Sequence, residues 1–357
     1  MPSGVLQTVP ACSRGPAAGG IVGLGSLHIG AADRARLTAV ANETFRDEDR
    51  EFHRLLPQTA ARARAMASHW AFGAPADTVD QLLQLPHAFS RSSDPRDRTR
   101  LRRVAVARLA LEFFQVDDRL PDTVNRLYPD FFAQLAKFLS TGSRDDYGDD
   151  YFVKDVRYAL GVTIPTGALQ FDLSARVGPK VIWRDLRMTG SPNSSFRYAT
   201  SLGWRRWYGN HIDLRAMKEF TPEGWTASFA RIAEVLKLNP AVRGVAGVSW
   251  FYDPQVARIS PHLAYVQAPT SHGAFLVKML TPPHDVANAL IRSPTRKKLY
   301  VEGKYVPTCY LLAWPRGPLL AWAERLTRDS RVAFAGSGSR AESRAATVRL
   351  APARTSA

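Results

Sequence analysis

The sequence predicts an α+β protein in which a helical N-terminal region is followed by a mixed α/β domain. Two observations carry this prediction. Apolar residues recur at helical spacing through much of residues 31–142, and residues 208–254 have the pattern of a strand, a helix and a second strand. Two strands joined through a helix need a crossover connection, so we expect them to be parallel within one mixed sheet.

Composition divides the chain into four predicted segments. Residues 1–30 are rich in Gly, Ala, Ser and Pro and predict a flexible arm, while residues 329–357 predict a disordered basic tail. The helical region is expected over 31–148 and the α/β domain over 149–328. The acidic, glycine-containing run Ser143–Tyr151 marks the boundary between them.

In the helical region, apolar residues recur every three or four positions. This spacing predicts helices over 33–70, with a break at Pro57, and over 78–85, 94–116 and 124–138. Adjacent carboxylates such as Asp145-Asp146 are more typical of solvated turns than of a metal site. No metal is therefore expected.

The first strand of the α/β domain is predicted over Asn210–Met217, because polar and apolar residues alternate there. Ionisable side chains then share one face of this strand: His211, Asp213 and Arg215. A helix follows over 222–238, since Thr221 is a good N-cap and Asn239-Pro240 ends the apolar stripe.

The second strand is predicted within VRGVAGVSWFYDP, residues 242–254. Its outgoing end carries Trp250, Tyr252 and Asp253, which we expect to line a substrate cleft. Further strands are predicted over 169–173, 180–183, 263–267, 274–279 and 309–314, and further helices over 152–160, 285–291 and 318–326. Residues 188–209 are expected to form a long loop, and RSPTRKKLYVEGKYVP a basic turn.

Composition also limits the protein's class. The 357 residues include only two cysteines, too few for a disulfide framework, and no apolar run approaches the ~20 residues that span a bilayer. Without a secretory leader, a cytoplasmic protein is expected. The formal charge is +16 and nearly all of the excess lies after residue 150, which favours an anionic ligand for that half.

The segment TRKKLYVEGKY closes the α/β domain before its last strand. Its Leu299, Tyr300, Gly303 and Tyr305 approximate the LYxxxGF segment of the GCN5-related N-acetyltransferases (GNAT). The order of strand, helix, strand and helical segment is also that of the family. Residues 208–315 therefore resemble the second half of the GNAT fold.

This resemblance implies an acyltransferase that acts on an amine. In the family, the helix after the first strand presents its N-terminus to the donor pyrophosphate, as a helix dipole favours. Here the family's Gln/Arg-x-x-Gly-x-Gly/Ala loop is replaced by FTPEGW, so the donor is predicted to be either acyl-CoA or aminoacyl-tRNA. The residues assigned to donor binding are Glu223, Gly224, Trp225, Arg296, Lys297 and Lys298.

Acyl transfer to an amine needs a base for the amine proton and benefits from an acid at the leaving group. We assign the base to His211 or Asp213 and the acid to Tyr300, which aligns with the family's tyrosine. The expected partners are a small-molecule amine acceptor and, for the second donor, tRNA. Residues assigned to substrate binding are Arg215, Trp250, Tyr252 and Asp253.

Two other classes remain open from the sequence. His211-x-Asp213 with a downstream His262 or His272 is also the donor set of a mononuclear non-haem iron oxygenase. The basic half also suits a non-enzymatic anion-binding or nucleic-acid-binding protein.

Overall fold

The computed structural model describes residues 21–43, 56–58, 60–61, 64, 71–72, 95–141, 149–190, 192–201, 204–212, 214–291 and 293–329. Its helices are α1 Ala31–Ala41, α2 Pro95–Phe113, α3 Asp122–Asn125, α4 Tyr128–Ser140, α5 Asp149–Ala159, α6 Pro179–Thr189, α7 Asn193–Thr200, α8 Pro222–Leu238, α9 Pro254–Ile259, α10 Pro283–Ile291, α11 Pro294–Val301 and α12 over 316–329. Its strands are β1 Ile21–Gly23, β2 Ala71–Phe72, β3 Gln115–Asp117, β4 Thr163–Pro165, β5 Leu169–Val177, β6 Trp207–Ile212, β7 Gly244–Ser249, β8 Phe275–Lys278 and β9 Tyr310–Pro315. The predicted helix over 78–85, and most of the predicted arm and tail, lie outside the described residues.

The described residues divide into two compact units: those within 1–60 and 86–162 form the first, and those within 61–85 and 163–357 form the second. The first unit is helical, as predicted. Apolar residues of α1, α2, α4 and α5 form its core, and within it Arg108 Nε donates to Ala41 O at 2.7 Å. Residues 142–148, which hold most of the predicted boundary, are outside the described ranges, and that boundary stays a prediction.

The second unit is built on a mixed sheet with strand order β2-β5-β6-β7-β9-β8, with β4 added beside β5. Strands β6 and β7 are parallel, with Tyr208 opposite Val245 and Gly209 opposite Ala246. Strand β9 runs antiparallel between β7 and β8. The predicted fold class, a helical region followed by a mixed α/β domain whose sheet contains a parallel pair, is confirmed.

Helix α8 confirms the helix that the sequence predicts over residues 222–238. Thr221 caps it by accepting the Gly224 N–H at 3.1 Å, and Pro222 takes the first position. Its buried stripe packs on one face of the sheet, where Phe229 lies 5.0 Å from Trp314 between ring centroids. The stripe consists of Trp225, Phe229, Ile232, Ala233 and Leu236.

Strands β6 and β7 separate after their two paired positions. The other edge of β6 stays paired with β5 as far as Ile212, and the other edge of β7 stays paired with β9 as far as Ser249. Among the described residues, His211 and Ile212 thus have no ladder partner on β7. We call the gap between residues 211–212 and 248–249 the strand opening.

A close contact at Gly247 sets where the strand opening begins. Asn210 is 3% exposed and its Nδ2 donates to Tyr252 Oη at 2.9 Å. A Cβ on Gly247 would overlap Asn210 Oδ1 and would lie 2.6 Å from Asn210 O. Only glycine lets the two strands approach this closely before they diverge.

We therefore expect Gly247→Ala to lower the free energy of unfolding by about 1–3 kcal/mol, the usual effect of overpacking a rigid core position. Urea unfolding of the full chain measures this. Gly25→Ala is the control, because a Cβ there meets no atom within 4 Å, and a change within about 0.5 kcal/mol is expected. Equal effects of the two variants would contradict the packing argument.

The first predicted strand of the α/β domain ends earlier than expected. Strand β6 stops at Ile212, and Leu214–Glu219 forms a 3-10 turn. The partner strand explains why. Ile212 pairs with Leu169, which is the first residue of β5. Just before Leu169 the chain turns, and the Thr166 N–H donates to Leu169 O across this turn. Beyond Ile212 the described part of the chain offers no neighbour to extend the ladder. The predicted strand over 210–217 was therefore wrong, and Arg215 does not share a strand face with His211.

Four other local predictions were also wrong. Residues 180–183 lie in α6, where Val181, Ile182 and Asp185 face inward at helical spacing. Residues 263–267 belong to the 3-10 segment Pro261–His272. The expected loop 188–209 contains α7, and the expected basic turn contains α11, which Ser293 caps through the Arg296 N–H. In each case tertiary burial or capping decided between patterns too short to be distinctive.

Among the described helices, none is both long and apolar enough to cross a membrane.

Candidate active site

His211 and Asp172 form a hydrogen-bonded pair on one face of the sheet, at the strand opening. His211 Nε2 is bonded to Asp172 Oδ2, and Thr163 Oγ1 donates to Asp172 Oδ1. The Asp172 side chain is 1% exposed, whereas that of His211 is 25% exposed. The carboxylate is therefore buried and fixed by two donors, and the imidazole reaches the surface.

Strand register explains why these three side chains meet. Asp172 on β5 lies opposite Thr163 of β4 and opposite Gly209 of β6. His211 follows Gly209 by two positions, so its side chain is on the same face as Asp172. Gly209 has no side chain to separate them.

The arrangement sets the imidazole tautomer. A carboxylate only accepts hydrogen bonds, so the proton that joins His211 to Asp172 belongs to Nε2. The lone pair then lies on Nδ1, which has no partner among the described residues. This is the arrangement of a general base held by an orienting carboxylate.

A second polar group lies beside the strand opening, on the other face of the sheet. Asn210 Oδ1 is buried and has no hydrogen-bond partner within the part of the chain that the structure describes. Tyr252 accepts the Asn210 amide, and burial raises the pKa of its phenol well above the usual value, so it stays neutral. One buried acceptor next to the strand opening is thus left unsatisfied.

The start of α8 offers less to a donor than the sequence suggested. The N–H of Gly224 is bonded to Thr221 Oγ1 and that of Trp225 to Thr221 O at 2.8 Å. Trp225 is 2% exposed and packs edge-on against Phe220 and Phe229. Donor binding by these residues and the exposed Glu223 stays a prediction.

The basic run on α11 is divided between the interior and the surface. Arg296 is 5% exposed, donates to Ala289 O and Ser260 Oγ at 2.7 and 2.8 Å, and lies 4.7 Å above the Trp250 ring. Burial lowers the pKa of its guanidinium. Lys297 and Lys298 are exposed, so the structure does not bring the three together, and their donor role stays a prediction.

The predicted substrate-binding aromatics lie largely inside the fold. Trp250 stacks on Phe251 with a 3.8 Å centroid separation, and Tyr252 bonds Asn210. Asp253 caps α9 through the Gln255 N–H, and burial raises the pKa of its carboxyl. Arg215 is half-buried in the 3-10 turn after β6. Contact of these residues with a substrate stays a prediction.

No described contact connects His211 with Asp213 or Tyr300, the two other residues predicted to act in catalysis. Asp213 lies outside the described residues. Tyr300 is 41% exposed near the end of α11. Within the described ranges, no group of three or more His, Cys, Asp or Glu side chains is arranged to hold a metal ion.

Sequence reasoning missed Asp172, Thr163 and Asn210. A signal for Asp172 was available, because it is the one carboxylate in the strand sequence LQFDLSARV. An acid within a buried strand requires partners, which makes it a candidate for a site. Its pairing with a histidine 39 positions away could not be read from spacing.

Comparison with known proteins gives structural likeness only. No protein-family model and no curated protein matches the sequence. A solved acyltransferase in complex with CoA and 10C-teicoplanin is similar at 17% identity and a TM-score of 0.43, covering 81% of this chain and 90% of that one. An acyltransferase in complex with decanoyl-CoA is similar at 14% identity and 0.41, covering 84% and 90%. Likeness at this level does not establish a shared activity.

Proposed function

We propose that this protein is an acyltransferase that moves an acyl group from an activated donor to an amine, with His211 as the general base. The observation that carries the proposal is the Thr163–Asp172–His211 hydrogen-bond chain at the strand opening. It fixes the imidazole and leaves Nδ1 free to accept a proton. The GNAT-like strand order and parallel pair support the same reaction class.

The acceptor amine attacks the donor carbonyl, forming a C–N bond, while His211 Nδ1 takes the amine proton. The bond to the leaving group then breaks, and the leaving thiolate or alkoxide takes up a proton. We assign the donation of that proton to the phenol of Tyr300, which is exposed.

The strand opening suits the donor arm. An extended chain that contains amides can pair with unpaired strand edges as an added strand would. The edges at 211–212 and 248–249 offer backbone groups for this, and Asn210 Oδ1 offers a buried acceptor. The pantetheine arm of acyl-CoA has this chemistry, so we favour acyl-CoA over aminoacyl-tRNA as the donor.

The test is a donor-by-acceptor assay on the full chain. Octanoyl-CoA, acetyl-CoA and an aminoacyl-tRNA are each incubated with a panel of primary amines, and products are identified by mass. We expect an amide product, dependent on enzyme, with one acyl-CoA. Transfer from aminoacyl-tRNA alone would make the donor assignment wrong, and no transfer from any donor would contradict the proposed function.

The oxygenase alternative has less support in the described structure. Because Nε2 of His211 is engaged by Asp172, iron would have to bind Nδ1, and within the described ranges no group of three or more His, Cys, Asp or Glu side chains could hold it. Asp213 itself lies outside the described residues. Stoichiometric iron in the purified protein, with loss of activity on chelation, would favour that alternative.

A further inference from the structure

A cleft of about 500 Å³ lies at the end of the sheet opposite the strand opening, and three arginines line it. They are Arg197 of α7, Arg243 just before β7, and Arg316 at the start of α12. We call it the arginine cleft. Arg243 immediately precedes β7, and the strand opening lies at the other end of that strand. At a rise of 3.3 Å per residue, the two are ~20 Å apart. The arginine cleft is thus separate from the site around His211.

The positive charge of this cleft has no counter-charge among the described residues that line it. None of the three arginines forms an ion pair with a described carboxylate, and no acidic residue lines the cleft. Other arginines, such as Arg36 and Arg119, do have such partners. Like charges held around one cavity repel each other, and a bound anion removes that cost.

Hydrogen-bond donors in the cleft are also available. Arg243 Nε is buried and has no partner in the described structure. Arg316 Nη1 donates to Leu236 O at 2.6 Å and to Asn239 O at 3.0 Å, and the other guanidinium nitrogens of Arg316 have no described partner. The Arg316 N–H bonds Arg243 O at 2.7 Å, which holds the two arginines together.

The cleft also receives the N-terminal end of a helix. Helix α12 begins at Arg316, and Gly317 and Pro318 line the cavity with it. The positive end of the helix dipole adds to the field of the guanidinium groups. Ser201 also lines the cleft and adds a hydroxyl group.

We propose that the arginine cleft binds a small molecule through a phosphate or diphosphate group. Planar guanidinium groups match phosphate oxygens in pairs, and three of them suit a group with more than one negative charge. The volume is within the ~300–1,000 Å³ typical of small-molecule sites, which favours a compact ligand over a nucleic acid.

The test is calorimetric titration of the full chain with pyrophosphate, inorganic phosphate and acetate. We expect affinity to fall in that order and to weaken as salt rises, because the ligand charge decreases and screening increases. Pyrophosphate binding should be weakened about tenfold or more by Arg243→Gln, the usual effect of losing a charge-assisted hydrogen bond.

Arg197→Gln is the second variant, because Arg197 is exposed and its loss should not affect folding. Arg187→Gln is the control: it removes the same charge from α6, where the guanidinium stacks on Trp183 outside the cleft, and it should leave binding unchanged. Equal weakening by all three variants, or binding of a short RNA duplex but not pyrophosphate, would overturn the proposal. The measurement needs no turnover, so it is independent of the proposed acyl transfer.

Discussion

Replacing His211 by Ala is expected to lower the acyl-transfer rate by about two to four orders of magnitude, the usual contribution of a general base. The physical reason is that Nδ1 is the proton acceptor beside the strand opening. With the imidazole removed, water must take the amine proton. Steady-state rates with the donor found in the transfer assay measure the effect.

A control variant at a second histidine tests whether the rate loss is specific to the imidazole of His211. His262 is exposed in the same unit, and we expect His262→Ala to retain the full rate. His262→Ala should change thermal unfolding little, because that side chain is exposed. His211→Ala removes a hydrogen bond to the buried Asp172 carboxylate and should lower the unfolding temperature, so the rates are compared at a temperature where both variants are folded. A His211→Ala protein that is folded and fully active would show that the base is another group.

Replacing Asp172 by Asn is expected to have an effect of similar size through the tautomer of His211. Thr163 can still donate to the side-chain oxygen, which leaves the amide nitrogen facing Nε2. An amide nitrogen donates and cannot accept, so Nε2 must become the acceptor and the proton moves to Nδ1. The base is then blocked although the imidazole is present, and we expect a rate loss of about 10²–10⁴.

The tautomer itself is the readout that a merely structural role would not change. Nitrogen chemical shifts of the His211 ring should report the proton on Nε2 in the original protein and on Nδ1 in Asp172→Asn. Thr163→Val is the matched control, since it removes one bond to the carboxylate and keeps the acceptor for His211. It should cost less than about tenfold in rate. An Asp172→Asn protein with the original tautomer and a low rate would contradict this mechanism.

Much of the α/β unit could be predicted from the sequence because its signals are local. The Thr221 cap, Pro222 and the apolar stripe specify α8 within 17 residues, and the structure has the same bounds. The crossover rule then requires a parallel pair of β6 and β7. His211 could be proposed as a site residue for the same reason, since a histidine in a strand next to a capped helix can be seen in a short window.

Tertiary structure decided where β6 ends and which carboxylate serves His211. Strand β6 needs β5 beside it, and β5 begins at Leu169 opposite Ile212. Asp172 reaches His211 across the register of that pair, whereas the expected neighbour, Asp213, lies outside the described residues. Only the folded chain could also place Arg296 inside and gather three arginines in one cleft. Capping and periodicity depend on neighbours in sequence, whereas pairing register and burial depend on residues far apart in the chain.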